Sequence, residues 1–297
     1  MIENPPLSIP LRPSQEQFLA AITKTERLFP APRTLGRALQ LLHDPQSDVN
    51  DIAGLISCDS ALAADVLRCA NSAFYGFGTR ISGIDLAVQK IGFRETIRLL
   101  NIVVAHQAAG RDLGSYGIAA EDFWAESLYC GLLLEQLVRH AGAPEVDEAY
   151  TAGLLRFIGR LAINQTIHDF GCGLFWNGAS TVAEWELENV GLTQEKAGAL
   201  LLRHWQFADV VVLAVEGQDD AAAASSPYPL VQAMHLLGQI LPAGKGMNHY
   251  LELADHPPAV PADHPFVVQH DLTAEHLAPL FAEAQRAFVA VRTELYR

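Results

Sequence analysis

Five histidines close to the C-terminus are the densest set of side chains in the chain that could bind a metal ion. Their successive spacings of seven, eight, six and six residues match no ligand pair on one helix face, where two ligands stand three or four residues apart. Four prolines interrupt the same region, so we predict exposed loop histidines rather than a metal centre. The five are His249, His256, His264, His270 and His276.

A carboxylate on an apolar helix face is the next candidate for chemistry. Glu126 shares a face with Cys130 and two leucines, so its side chain is expected either to point inward or to lie at the solvent edge. An inward carboxylate needs a partner, and Arg156 is the candidate for an ion pair. Ser127 and Cys130 have no histidine near them in the sequence, so neither is predicted to be an activated nucleophile.

Helical periodicity, without any alternating strand pattern, predicts an all-α protein. Residues 1–26 are expected to form a proline-rich strap and a first helix. Glycines in 109–120 predict a flexible linker between a helical lobe, 27–109, and a second lobe, 121–220. The remainder, 221–297, is expected to be a helical extension packed on the core, and the wide apolar stripe of its last helix predicts packing on the second lobe or across both lobes.

Composition excludes several classes of function. A net charge of −14 disfavours generic binding to nucleic acid or to an anionic membrane. Four cysteines with no Cys-x-x-Cys pair predict buried free thiols and a reducing, cytoplasmic environment. The N-terminus shows no signal-peptide pattern, and no apolar run is long enough to cross a bilayer. No cofactor is expected.

The stretch 56–76 carries a recognisable pattern of helix, capped corner, helix and aromatic turn. It is similar to the signature of HDOD domains, which are bacterial signalling modules related to the HD phosphohydrolases. The resemblance extends over 27–220 and implies a multi-helical, two-lobed fold. Ser60 stands where the family usually has proline, and either residue can start a helix. The candidate interaction residues are Asp59, Asn71, Ser72, Phe74 and Tyr75.

Two interpretations of this corner stay open at the level of sequence. Turn chemistry alone explains every residue, since Asn71 can end a helix and Phe74 can fill the core. Alternatively, the corner shapes a groove beside the second lobe in which Tyr75 contacts a partner protein.

The resemblance also locates a metal site that has lost its ligands. The segment 153–160 resembles the family's Gly-Leu-Leu-His-Asp-Ile-Gly-Lys, with Arg156 and Phe157 in place of the His-Asp pair. Phenylalanine has no ligand atom, and arginine places a permanent positive charge where the cation would lie. The predicted degenerate pocket comprises Glu126, Arg156, Phe157, Gln194, Gln218 and Asp219.

Three functional hypotheses follow. The first is a non-catalytic regulatory module that binds signalling proteins, with a homodimer possible. The second is a divergent metal-dependent phosphohydrolase or cyclic-dinucleotide phosphodiesterase. The third is a sensor that binds a small ligand in the degenerate pocket.

Overall fold

The computed structural model is built from α-helices, as the sequence predicts. In the part of the chain that it describes, the only strand-like pairing is an isolated bridge between Leu113 and Ile118. The described residues are 13–24, 37–38, 40–41, 44, 46–58, 60–71, 81–108, 112–241, 243–244, 247–253 and 255–295.

The helix α1 (Gln15–Lys24) precedes the first lobe, whose described helices are α2 (Val49–Ser57), α3 (Ser60–Ala70), α4 (Ile84–Ile91) and α5 (Phe93–Ala108). Asp48 caps α2 with a capping box, accepting from the backbone N–H groups of Asn50 and Asp51. Within this lobe α2 packs on α4, and α3 packs on α5.

The second lobe and the C-terminal extension surround one long helix, α6 (Ala120–His140). The helices that follow it are α7 (Val146–Leu154), α8 (Ile158–Phe170), α9 (Val182–Asn189), α10 (Gln194–His204), α11 (Asp209–Glu216), α12 (Pro229–Ile240), α13 (Met247–Glu252), α14 (Pro265–Gln269) and α15 (Ala274–Leu295). Apart from its two ends α6 is buried on all sides, because α5, α7, α12, α13 and α15 pack around it.

The packing of α7 on α6 depends on a small residue. A Cβ atom at Gly153 of α7 would lie 2.5 Å from the carbonyl oxygen of Cys130 on α6, so only glycine allows this approach. The approach brings the end of α7, and the loop that follows it, against the middle of α6. That loop carries Arg156 and Phe157.

The two ends of the chain both pack on the second lobe. The N-terminal helix α1 lies against α8 and α10, with the Gln15 amide donating to the carbonyl oxygen of Gly191 at 2.6 Å and Phe18 packed edge-on against Phe170. At the other end α15 packs on α6.

Three predictions about local structure were wrong. The described part of the glycine-rich linker, 112–119, forms a tight turn rather than a flexible connection, because Leu113 and Tyr116 are buried. Cys58 is exposed, at the C-terminal end of α2. His264 is buried rather than lying in solvent.

Candidate functional site

The degenerate pocket is built around the turn that joins α7 to α8. Arg156, on this turn, is only 2% exposed. Its Nε donates to Oε1 of Gln218 at 2.8 Å, and its Nη1 donates to the carbonyl oxygen of Leu241 at 3.1 Å. The guanidinium lies over the ring of Phe157 at 4.5 Å from the ring centre. Arg156 is therefore fixed inside the core.

Gln218 completes this arrangement from the end of α11. Its Nε2 donates to the carbonyl oxygen of Arg156 at 3.1 Å and to that of Val215 at 2.9 Å. The amide and the guanidinium thus hold each other reciprocally, and both are buried. The Gln218 side chain supplies a hydrogen-bond acceptor to a buried arginine. Its role is therefore structural, at a position where the family resemblance places a metal ligand.

Glu126 points inward and is 1% exposed. Its Oε1 accepts from the backbone N–H of Gly244 at 2.9 Å, and the Tyr250 hydroxyl donates to the same carboxyl group. Among the described residues it forms no ion pair with Arg156, so the inward position is observed without the candidate ion pair. Burial raises the pKa of this carboxyl, and the charges of Arg160 and Arg156 oppose the rise only in part.

Gln194 and Asp219 lie close to a neighbouring carboxylate, Glu195. The Gln194 amide donates to Glu195 at 2.6 Å, and its Oε1 is buried without a partner. Asp219 lies at the rim, where partial desolvation and then the negative charge of Glu195 raise its pKa. Glu195 therefore connects Gln194 with Asp219. Arg156 contacts Phe157 and Gln218, and its charge acts on the carboxyls of Glu126 and Asp219.

Three residues that the sequence did not single out belong to the same region. The Tyr116 hydroxyl donates to Oε1 of Glu186 at 2.8 Å, and the backbone N–H of Gln194 donates to Oε2 at 2.7 Å. Burial raises the pKa of Glu186 to about 7. Arg160 lies over the rings of Tyr116 and Phe157. Tyr116 lies in the glycine-rich stretch, and Glu186 lies in a separate, glutamate-rich helix. No pattern of residue spacing in the sequence therefore predicts that the two side chains meet.

The donors in this pocket do not fit a divalent metal ion. Histidine is absent from the six predicted positions, and two guanidinium groups lie among the carboxyls. Across the described part of the chain, no three side chains of His, Cys, Asp or Glu come together as a metal site.

Of the signature residues, Asn71 is the one the structure describes, and it acts as a clamp. Its Nδ2 donates to the carbonyl oxygens of Leu67 and Ile81, each at 2.8 Å, and its Oδ1 accepts from the Ile81 N–H at 2.7 Å. These bonds tie the end of α3 to the entry of α4 across ten residues. Asp59, Ser72, Phe74 and Tyr75 lie outside the described residues.

Comparison with known proteins identifies the family to which this two-lobed helical fold and its pocket belong. The family model for the HDOD domain matches residues 28–221. The chain belongs to the HDOD family. A protein of Treponema pallidum described as uncharacterized is 25% identical over 239 residues, which are 77% of this chain and 45% of that protein. The chain thus spans less than half the length of this relative.

Solved structures share the HDOD fold at low sequence identity. An HDOD domain protein of unknown function from Geobacter sulfurreducens has a TM-score of 0.61 at 19% identity, covering 94% of this chain and 97% of that one. A proposed signal transduction protein from Marinobacter aquaeolei gives 0.66 at 22%, covering 97% and 66%. A proposed phosphohydrolase from Shewanella amazonensis gives 0.62 at 22%, covering 94% and 98%. At these identities the likeness concerns the fold.

The described helices of this HDOD protein include none with the length and apolar character needed to cross a membrane.

Charged side chains form clusters between helices and on their outer faces. One such cluster lines a cavity of about 220 Å³ between the two lobes, where Arg94 pairs with Asp147 at 3.0 Å and Arg98 with Glu135 at 3.3 Å. These pairs attach α5 to α6 and α7.

A buried histidine pair fastens the C-terminal extension. Nδ1 of His264 accepts from the backbone N–H of Phe266 at 3.2 Å, which places the ring proton of the neutral side chain on Nε2. That proton is donated to Nδ1 of His235 on α12, at 2.9 Å. Both rings are buried, at 4% and 6% exposed, and burial lowers the pKa of each. Asp220 and Asp263 oppose the shift more weakly.

We expect this pair to make the protein less stable as the pH falls. Its folded pKa values lie below the unfolded value of about 6.5, so the stability is complete above that pH and decreases as the pH falls below it. The slope is at most about 1.4 kcal/mol per pH unit for each histidine. Denaturant unfolding of His264→Asn, which keeps a side-chain cap without titrating, should show a shallower loss of stability between pH 7 and 5.

The exposed His256 supplies the matched control. His256→Asn should keep the wild-type pH dependence. Glu186 gives the opposite pH dependence of stability in both variants. Its pKa is raised in the folded protein, so its contribution to the free energy of unfolding decreases as the pH rises towards 7. An unchanged slope in His264→Asn would show that the histidine pair does not control the loss.

Proposed function

We propose that this HDOD protein is a non-catalytic regulatory module of the cytoplasm that acts by binding partner proteins. The observation that carries the proposal is the fixed position of Arg156. Its guanidinium is held by Gln218 and by the Leu241 carbonyl at the place where the family resemblance puts a metal ligand. A permanent cation there repels a divalent metal ion.

The distribution of the changes supports the same proposal. Phe157 contributes only its ring, Gln218 is committed to the arginine, and Glu126 accepts from a backbone N–H. Restoring a metal site would therefore require several simultaneous substitutions. The relative described as a proposed signal transduction protein is consistent with a regulatory role.

We expect the purified protein to contain no stoichiometric transition metal and to hydrolyse neither a cyclic dinucleotide nor p-nitrophenyl phosphate. Elemental analysis and product assays on protein purified without chelator would measure both. About one metal ion per chain, lost in Glu126→Gln or Asp219→Asn, would contradict the proposal and favour a divergent phosphohydrolase. If the protein binds no metal and shows no turnover, crosslinking and co-purification from the native cell would identify its partner.

A further inference from the structure

A partly open apolar cavity of about 350 Å³ lies in the C-terminal extension, between α14, α15 and the segment 257–262. Its inner wall consists of side chains that already belong to the core, with Phe281 fully buried and Leu277 and Val267 each 6% exposed. Its outer wall is the segment 257–262, which contains three prolines and is called the proline segment below. The lining residues all lie outside the part of the chain that the HDOD family model matches.

The walls of this cavity offer little to a polar occupant. Proline fixes its own φ angle and lacks a backbone N–H, so Pro257 and Pro258 form a stiff wall that adds no donor. Of the lining residues that the structure describes, Thr273 alone has a polar side chain, and its hydroxyl lies 3.3 Å from Nδ1 of His276. Water in this space finds few hydrogen-bond partners, so apolar side chains that displace it are favoured.

The volume of the cavity limits the size of its occupant. An apolar cavity of ~150 Å³ holds one benzene ring, so this one accepts roughly two side chains of the size of leucine or phenylalanine. Two such side chains lie next to each other when they are three or four residues apart on a helix. The volume therefore fits the apolar face of a short amphipathic helix, which is a recurring way for one protein to recognise another.

The rim of the cavity is acidic. Asp263 and Glu275 are exposed, and each is adjacent in the chain to a lining residue. The sequence from 246 to 285 contains no lysine or arginine. Arg139, in the last turn of the neighbouring helix α6, is already paired with Glu135. Basic side chains would complement this rim, whereas a second copy of this chain, with its net charge of −14, would be repelled.

We propose that this cavity is the docking site for a basic amphipathic helix of a partner protein, which inserts two apolar side chains between the proline segment and α15. Removal of these side chains from water provides the affinity. The acidic rim favours partners with lysine or arginine beside the apolar face and increases the rate of association. The inference deepens the proposed function, on which it rests, because it names a surface and a class of partner.

Fluorescence anisotropy with synthetic helical peptides, at neutral pH and constant ionic strength, tests the proposal on the full chain. The first peptide carries leucines on one face and lysines beside them. The second has glutamate in place of each lysine, and the third has alanine in place of each leucine. We expect saturable binding of the lysine peptide, with the other two binding more weakly by about tenfold or more.

Filling the cavity should abolish this binding without unfolding the protein. Ala278 is an exposed residue of α15 that lines the cavity, so Ala278→Leu should keep the wild-type Tm and weaken binding of the lysine peptide by about tenfold. Ala262→Leu fills the cavity from the opposite wall and serves as a second variant if Ala278→Leu does not fold. Ala64→Leu, the same substitution at an exposed position of α3, is the matched control and should bind like the wild type.

Neutralising the rim tests the charge separately from the shape. The double variant Asp263→Asn, Glu275→Gln should bind the lysine and glutamate peptides with more similar affinities than the wild type does, because the acidic rim is weakened. Both peptides should still bind more tightly to it than the alanine peptide. A double variant that keeps the full wild-type preference for lysine would contradict the role given to the rim.

Equal binding of the lysine and glutamate peptides by the wild type, or unchanged binding by both cavity variants, would overturn the inference. Self-association that both cavity variants lose would make a second copy the occupant, and saturable binding of hexanol without either peptide would make it a small apolar molecule; each result overturns the inference. Absence of lysine-peptide binding in protein that is free of metal and turnover would overturn this inference and leave the proposed function standing.

Discussion

Replacing Gly159 with alanine is expected to prevent the second lobe from folding. A Cβ atom at this position would lie 1.8 Å from the carbonyl oxygen of Gln194, 2.7 Å from its carbonyl carbon and 2.8 Å from the backbone nitrogen of Gly198. All three are backbone atoms, so no side-chain rotation relieves the clash. The helices α8 and α10 would have to separate, at a cost above about 4 kcal/mol.

The control is a glycine with open space around it. Gly54, in the exposed face of α2, has no atom within 4 Å of a Cβ position. Gly54→Ala should be neutral or stabilising by about 0.5–1 kcal/mol, because alanine is the better helix former. Circular dichroism and denaturant unfolding measure both variants. A Gly159→Ala protein with wild-type cooperativity and a Tm within a few degrees of wild type would show that α8 and α10 are not in backbone contact.

Part of the candidate site could be predicted from the sequence and part could not. Gly159, which allows the contact between α8 and α10, belongs to the segment 153–160, and this segment identified the position of the pocket. The roles of Tyr116 and Glu186 could not be predicted, because their hydrogen bond joins residues 70 positions apart and depends on the turn 112–119 folding against α9. A glycine-rich stretch predicts a turn but not what the turn buries.

Local rules located the helices well where apolar spacing and caps agreed. The predicted helix 182–189 has the observed limits, and Thr181 provides its capping box. The four prolines from Pro257 to Pro265 predicted an irregular crossing, and residues 255–264 form no helix. The short helices α13 and α14 lie on either side of this crossing and were not predicted, and α14 is capped by His264. Histidine is not among the residues favoured as helix caps, so no sequence pattern predicted that His264 is buried.

Glu126 shows the limit of reasoning from one helix face. The spacing left two alternatives, solvent edge or inward pair with Arg156. The observed partner is the backbone N–H of Gly244, 118 residues away and on a loop of the C-terminal extension. Backbone groups carry no side-chain identity, so a pattern of residue types cannot indicate them. The extension is therefore part of the pocket wall.

The packing of this extension gives the second large expected effect, at Phe288 of α15. Its ring is fully buried, 5.8 Å from the ring centre of Tyr129 and 6.3 Å from that of Trp124, both on α6. Phe288→Ala removes a buried aromatic ring from this cluster, so we expect a loss of about 3–5 kcal/mol. Denaturant unfolding at constant pH measures the loss.

The neighbouring Val289 is 41% exposed and provides the control, since Val289→Ala should change stability by less than about 0.5 kcal/mol. Because α15 packs on the buried helix α6, removing residues 271–297 should be more severe than Phe288→Ala and give insoluble or molten protein. If Phe288→Ala were as stable as Val289→Ala, or the truncated chain stayed monomeric with unchanged cooperativity, α15 would not be part of the core. In that case the loop that carries Gly244 would also lose its anchor, and the hydrogen bond to Glu126 could not be a fixed feature of the pocket.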